Sequence, residues 1–270
     1  SCWDKIPVSS KEIVKSKVAD STIDKSEIEK FNAFAREWWD PAGKFHAVHK
    51  FNTARCIYIS TYIIEAFSRS RDEQFPLKGI NILDIGCGGG LVSEPLAALG
   101  ANVVGIDAAK NNIKIAIQHS EISGLNIDYR LGTAKSIIKT GEIFDVVLNL
   151  EVIEHVLKPS QLIMDCATLL RPQGLLAVAT LNRTIRAFMI AILGAEYVLR
   201  WLPRGTHDWC RFLKPKELTR MITMNDLKIC KTAGLSYNPF ARQWRITNDK
   251  SVNYLMIAKR NESLQSVKAK

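Results

Sequence analysis

The chain has 270 residues, and its 37 basic residues exceed its 27 acidic ones, which gives a net charge of +10. Its length suits one α/β domain with additions. Six scattered cysteines without a C-x-x-C pair exclude a zinc ribbon or disulfide framework and favour a reducing compartment. No run of 18 uncharged apolar residues and no hydrophobic signal core occurs, so we expect neither a membrane span nor secretion.

The basic charge is concentrated in the C-terminal part of the chain. Residues 1–30 carry six lysines and six acids, whereas residues 180–250 carry thirteen Lys and Arg against five Asp and Glu. A basic surface of this kind can contact nucleic acid or an anionic membrane. A solvated surface without a partner would explain the charge equally well.

Two segments precede the main domain. Residues 1–25 are polar and rich in Ser and Lys, so we predict a flexible N-terminal segment. Residues 26–79 are predicted to form an N-terminal helical cap. Ser26 and Glu29 have the spacing of a capping box at the start of a helix, and residues 52–69 are predicted as a second helix.

Residues 80–260 alternate apolar runs with helical segments. This alternation predicts an α/β, Rossmann-like domain, with a mostly parallel sheet, right-handed crossovers and helices on both faces. Residues 182–215, rich in aromatics and arginine, interrupt it as a lid insertion, and 261–270 form a tail. The predicted strands are 80–85, 102–106, 127–131, 144–150 and 175–180, then segments near 228–237 and 252–258, and the predicted helices are 91–99, 110–122, 160–170 and 215–224.

The first strand of this domain runs directly into a glycine-rich turn. Residues 82–90 read Ile-Leu-Asp-Ile-Gly-Cys-Gly-Gly-Gly, and Asp107 ends the next apolar run. A glycine turn between strand and helix, followed by an acid at the tip of the second strand, is typical of nucleotide-binding α/β domains. A dinucleotide fingerprint would need a third glycine where Leu91 stands. A tight turn without a ligand would not need so many glycines, which weaken a turn that serves only packing.

The fourth strand ends at a second group of candidate residues. Leu150 closes an apolar run, and Glu151, Glu154 and His155 follow it. If Glu151 begins a helical turn, the other two side chains share its face and could hold a divalent cation. Alternatively, these groups only charge and cap a helix N-terminus.

Residues 185–202 read as an apolar helix that carries Arg186, Glu196 and Arg200. These charges are too many for a membrane span, and the apolar face suits an interfacial helix on anionic lipid. A lid helix packed on the core and a dimer face are the alternatives.

Taken together, these motifs resemble the ubiquinone-biosynthesis O-methyltransferases over residues 27 to 258. The glycine turn alone fits many class I S-adenosylmethionine (SAM) methyltransferases, and the flanking motifs make the resemblance specific. The chain departs from the family's Asn-Pro-x-Arg at 52–55 and from its Lys-Pro-Leu-His at 46–49, although Arg55 and His49 remain. The matching motifs are Trp38-Trp39-Asp40, Gly43-Lys44-Phe45, Leu150-Glu151-Val152-Ile153-Glu154-His155-Val156, Leu181-Asn182-Arg183-Thr184, Gly194-Ala195-Glu196-Tyr197-Val198-Leu199 and Gly205-Thr206-His207-Asp208.

The resemblance implies a class I methyltransferase that transfers the methyl group of SAM to ring hydroxyls of polyprenylated catechol-type precursors, 3-demethylubiquinol and an earlier dihydroxybenzene or benzoate. It implies a divalent metal, Mg²⁺, at Glu151, Glu154 and His155, with Glu151 and His155 in catalysis. Without a metal, His155 or His49 would be the general base. The implied SAM contacts are Arg55, Gly86, Gly88, Asp107 and Leu150.

Partners and location follow from the same resemblance. We expect a polyprenylated phenol as substrate, an anionic membrane surface, other enzymes of ubiquinone biosynthesis as candidate partners, and no nucleic acid. The enzyme would lie peripherally on the cytoplasmic side of a bacterial inner membrane, or on the matrix face of a mitochondrial one. A methyltransferase acting on RNA or protein and a non-catalytic SAM-binding scaffold are the competing functions.

Overall fold

The computed structural model of the chain describes residues 24, 26–29, 39, 46–188, 208–238 and 243–262. Residues 1–23 of the predicted flexible segment and residues 189–202 of the predicted interfacial helix lie outside this range. The domain boundaries at 25, 79 and 260 remain predictions.

The described residues contain one sheet of eight strands in the order β3-β2-β1-β4-β5-β8-β6-β7. β1 to β5 pair in parallel, whereas β8 is antiparallel to both β5 and β6, and β7 is antiparallel to β6. The strands are β1 (Asn81–Ile85), β2 (Asn102–Asp107), β3 (Asp128–Leu131), β4 (Phe144–Leu150), β5 (Leu170–Leu181), β6 (Leu227–Asn238), β7 (Gln243–Thr247) and β8 (Asn253–Arg260).

Helices cover both faces of this sheet. Every residue of the central strand β4 is buried, and its side chains alternate between two cores, so that Val147 packs toward α4, α5 and α7 and Leu148 toward α1 and α2. The helices are α1 (His46–Ala66), α2 (Ser93–Ala98), α3 (Lys110–Ile122), α4 (Ala134–Ile138), α5 (Pro159–Thr168), α6 (Ile185–Ala187) and α7 (Pro215–Thr223), with 3₁₀ turns at Ile153–His155 and Trp209–Arg211.

The strand register brings the predicted functional segments to one edge. Ile85 at the end of β1 lies beside Ile106 of β2 and Asn149 of β4. The residues that follow these three, Gly86, Asp107 and Leu150, therefore meet at the carboxyl ends of neighbouring parallel strands. This edge is where open α/β sheets bind their ligands.

The predicted Rossmann-like α/β class is confirmed, and each predicted strand of the sheet is present within a few residues. The start of α1 was predicted wrongly at residue 52, because Asn52 and Thr53 look like capping residues but lie inside the helix. Thr53 donates its hydroxyl to the carbonyl of His49 four residues back, at 3.0 Å, and Asn52 accepts from Arg55. The helix α4 and the strand β7 were not predicted.

None of the helices in the described residues is long and apolar enough to cross a membrane.

Candidate active site at the carboxyl edge of the sheet

The glycine-rich turn at the end of β1 depends on the absence of side chains. Gly86, Gly88 and Gly90 have φ values of +71°, +55° and +91°, in the left-handed region that disfavours residues with a Cβ. A Cβ built on Gly86 would collide with the side chain of Val152, which follows β4. The turn is therefore a tight cradle between β1 and α2, backed by the residues after β4.

Asp107 anchors this turn from the end of β2. Its Oδ2 accepts from the Gly88 amide at 3.0 Å and from the Asn112 side chain at 3.3 Å, and its Oδ1 accepts from the Ala109 amide at 2.7 Å. Burial raises the pKa of Asp107, and these three donors oppose that rise. A carboxylate has about four acceptor positions, so Asp107 retains capacity to accept a further hydrogen bond, and its predicted contact with ribose stays a prediction.

A second acid, Asp84, lies inside β1 and is 2% exposed. It accepts a hydrogen bond of 2.6 Å from the hydroxyl of Ser93, the first residue of α2. Burial raises the pKa of Asp84 to about 6, against the opposing effects of Ser93 and Arg55. Asp84 thus ties the strand before the glycine turn to the helix after it.

Arg55, a predicted SAM contact, projects from α1 to the end of β4. Its Nη1 donates to Oε1 of Glu151 at 3.0 Å, its Nη2 donates to Asn52, and its guanidinium lies 4.9 Å from the ring centre of Phe51. Its Nε is buried without a partner among the described residues. Arg55 and the predicted catalytic residue Glu151 thus form an ion pair at the site.

Glu151 adopts an uncommon backbone conformation. Its φ is +57°, in a region that costs a residue with a side chain about 1–2 kcal/mol. Its amide donates to the carbonyl of Ala179 on β5 at 2.9 Å, which continues the sheet ladder by one residue. Leu150, the preceding predicted cofactor contact, is buried at the end of β4.

Glu154 is a buried carboxyl group. It is 3% exposed, and its Oε2 accepts from the hydroxyl of Thr180 at 2.8 Å. Its Oε1 has no partner among the described residues. Burial raises the pKa of Glu154 well above its usual range, and the neighbouring carboxyl of Glu151 adds to this effect, so both favour the neutral form of Glu154.

His155 pairs with a residue of the N-terminal segment that sequence reasoning missed. Its Nδ1 lies 2.7 Å from Oε2 of Glu27, within the helical turn 26–29. Asp24 in the same segment pairs with Arg211 at 2.8 Å. These contacts cross more than a hundred residues, so no local sequence pattern could have indicated them.

The predicted metal site is not supported by this arrangement. The side chain of Glu151 accepts a hydrogen bond from Arg55, and that of Glu154 accepts one from Thr180. The ring of His155 pairs with the carboxylate of Glu27. A search of the described residues finds no group of three His, Cys, Asp or Glu side chains that could hold a metal ion. Metal ligation also needs a deprotonated carboxylate, which burial disfavours at Glu154. As they stand, the three residues do not fit a metal centre and belong to a network of ion pairs and hydrogen bonds.

His49, the alternative predicted base, lies in α1 near the glycine turn. Its ring meets Trp39 edge to face, with 5.5 Å between ring centres. A cavity of about 400 Å³ lies at the opposite edge, lined by the starts of β1, β2, β3 and β4. We place the active site at the glycine turn because ligands of open parallel sheets bind at the carboxyl ends.

Comparison with known proteins gives both sequence relatives and structural neighbours. A family model described as a methyltransferase domain matches residues 58–232. The ubiquinone biosynthesis O-methyltransferase of Sinorhizobium fredii is 49% identical over 245 residues, which cover 91% of this chain and 99% of that protein. The protein of the same name from Bartonella bacilliformis is 50% identical over 240 residues, which cover 89% and 97%.

Solved structures show the same fold at lower identity. The magnesium protoporphyrin IX methyltransferase of Synechocystis with bound SAH has a TM-score of 0.60 at 18% identity, covering 86% of this chain and 94% of that one. The plantazolicin methyltransferase with bound SAH has a TM-score of 0.59 at 18% identity, covering 88% and 97%.

Proposed function

The chain belongs to the family of ubiquinone biosynthesis O-methyltransferases, and from this premise we propose that it transfers the methyl group of SAM to a ring hydroxyl of a polyprenylated catechol-type precursor of ubiquinone. The observation that carries the proposal is the identity of about half the residues over nine-tenths of the chain. In this chain the glycine turn, Asp107 and the residues after β4 meet at one edge of the sheet.

The cradle at the end of β1 fits SAM. The left-handed backbone of Gly86 and Gly88 makes the tight turn that would hold the methionine part of SAM. Asp107 would accept the ribose hydroxyls. Arg55 would pair with the SAM carboxylate through its guanidinium, whose Nε has no partner among the described residues.

Bound SAM supplies a methyl group already activated by the sulfonium. The protein has to align a phenolic oxygen with that methyl and remove the phenolic proton, because a phenol of pKa about 10 is a poor nucleophile at neutral pH. Among the predicted bases, His155 has a carboxylate partner, Glu27, on Nδ1. A carboxylate in this position orients an imidazole and fixes its tautomer, so we assign the base to His155 in preference to His49.

Dependence on a divalent cation remains a proposal from the family resemblance, and we assign it no step here. Chelation tests it directly. Loss of turnover in chelator with recovery on added Mg²⁺, while SAH binding is unchanged, would support a cation at Glu151, Glu154 and His155. Full turnover in chelator would support His155 acting on the phenol directly.

We also propose that the enzyme works at an anionic membrane, where its polyprenylated substrate resides. Large apolar side chains are exposed at the start of the lid insertion, with Ile185 79% and Phe188 37% exposed, beside Arg186. Leu157, two residues after His155, is 54% exposed. This supports a peripheral location on the cytoplasmic side of a bacterial inner membrane or on the matrix face of a mitochondrial one, in reach of other ubiquinone-biosynthesis enzymes.

The proposed reaction is tested with SAM labelled on the methyl group and a short-tailed demethylubiquinol. We expect the label in the methyl ether product and stoichiometric SAH. As a matched control, the Asp107→Ala variant should transfer little label because its SAM site is damaged. Label found in RNA or protein, and none in the phenol, would refute the assigned substrate class.

A further inference from the structure

Trp39 lies over the glycine turn, although it precedes that turn by about fifty residues. Its indole Nε1–H donates to the carbonyl oxygen of Gly89 at 2.7 Å. Gly89 is buried within the turn at 86–90. The motif Trp38-Trp39-Asp40 contributed to the family resemblance without an assigned role, and this bond gives Trp39 one.

The indole of Trp39 is held by a stacked histidine. The ring of His119, in the last turn of α3, lies parallel to it at 4° with 3.5 Å between ring centres. His119 is itself fixed, since its Nδ1 is 2.7 Å from Oε1 of Glu94 in the first turn of α2. Glu94 is 5% exposed and also accepts from Ser123 at 3.1 Å. Trp39 therefore rests on a platform built by both helices that follow the glycine turn.

Backbone hydrogen bonds hold the glycine turn in addition to the bond from Trp39. The amides of Gly86 and Cys87 donate to the Ile106 carbonyl at 2.8 and 3.0 Å, and the amide of Gly88 donates to Asp107. These bonds fix the first half of the turn to β2. In the second half, the Gly90 amide donates to the Cys87 carbonyl at 2.9 Å, within the turn itself, and the bond from Trp39 to Gly89 adds an anchor from outside the turn.

We propose that Trp39 is a positioning residue of the SAM site, which clamps the second half of the glycine turn in the conformation that receives the cofactor. A turn with three left-handed glycines has a large backbone entropy that ligand binding must otherwise remove. The clamp removes this freedom before SAM arrives and so increases the affinity for SAM. This inference rests on the SAM-dependent function proposed above.

Two substitutions separate the indole donor from the stacked ring. Trp39→Phe keeps an aromatic ring for His119 and removes the N–H, whereas Trp39→Ala removes both. Calorimetry should show SAH binding weakened about threefold to tenfold in Trp39→Phe, the range for one hydrogen bond, and more in Trp39→Ala. The KM for SAM should rise in parallel, whereas kcat and the KM for the phenol should stay near the wild-type values.

Trp209→Phe is the matched control, because the Trp209 indole donates a similar bond of 3.0 Å to the carbonyl of Thr184, away from the turn. Its SAH affinity should equal that of the wild type. If Trp39→Ala does not fold, His119→Ala removes the platform and leaves the indole donor, and it should weaken SAH binding as well. The effects of His119→Ala and Trp39→Phe should be less than additive when combined.

The outcomes separate this inference from the proposed function. Wild-type SAH affinity in both Trp39→Phe and His119→Ala, or a fall of kcat with a rise of both KM values, would overturn the positioning role alone. A wild-type enzyme that does not bind SAH would instead overturn the SAM-dependent function.

Discussion

Substitution of Gly86 by alanine measures how closely the glycine turn and the residues after β4 are fitted together. The alanine would carry its Cβ into the side chain of Val152, at a backbone φ of +71°. The left-handed conformation costs about 1–2 kcal/mol for a residue with a Cβ. Overpacking against Val152 adds about 1–3 kcal/mol. We therefore expect Gly86→Ala to lower the free energy of unfolding by about 2–5 kcal/mol, or to displace the turn and abolish SAH binding.

Two companion variants separate the backbone contribution to this loss of unfolding free energy from the overpacking contribution. Gly124 has a φ of +66°, and a Cβ there would meet nothing within 4 Å, so Gly124→Ala should show the backbone cost alone. The double variant Gly86→Ala, Val152→Ala should regain the unfolding free energy lost to overpacking, but not the part lost to the left-handed backbone.

Urea denaturation gives the free energies of unfolding, and calorimetry with SAH reports on the turn itself. The reasoning would be refuted if Gly86→Ala destabilised the protein no more than Gly124→Ala and bound SAH normally. It would also be refuted if Val152→Ala gave no recovery, because the collision would then not be the cause.

Three further predictions concern the acids and the lid. Asp107→Ala should weaken SAH binding at least tenfold by calorimetry, since hydrogen bonds to a charged group contribute about 1.5–3 kcal/mol; unchanged affinity would remove Asp107 from the site. The pKa of Glu154 is higher in the folded than in the unfolded protein, so stability should fall as pH rises from about 4.3 through the folded pKa. Glu154→Gln should flatten this slope in urea titrations, and an unchanged slope would contradict a raised pKa of Glu154. Replacing Ile185 and Phe188 together by Asp should abolish sedimentation with phosphatidylglycerol vesicles, and retained sedimentation would contradict the membrane role.

The positions of the strands in the chain and the candidate cofactor edge were predictable from local patterns, whereas the order of the strands within the sheet was not predicted. Residues 82–90 and Asp107 combine apolar runs, glycines and an acid at fixed spacing, and the register of parallel strands then places them at one edge. The hydrophobic period of each strand is a local property, so the prediction did not depend on contacts distant in sequence.

The partners of the site residues were not predictable in this way. Glu151 and Arg55 are separated by 96 residues, and His155 and Glu27 by 128. Glu154 and His155 were predicted to share the helical face of Glu151, but the segment forms only a 3₁₀ turn after a left-handed Glu151. The side chains of Glu151, Glu154 and His155 pair with Arg55, Thr180 and Glu27, and a pattern of spacing cannot detect these partners.

The site retains three carboxyl groups under conditions that oppose their ionisation. Burial raises the pKa of Asp84, Asp107 and Glu154, and each lies at or near the carboxyl edge of the sheet. Burial of an ionisable group costs stability, and an apolar core would not need any of the three. Acids with raised pKa values are concentrated at functional sites because ligand binding and catalysis require them. The glycine edge combines these acids with a turn shaped by Gly86, whereas the pKa of Glu142, a carboxyl at the cavity on the opposite edge, is lowered by Arg130, and this difference favours the glycine edge as the candidate site.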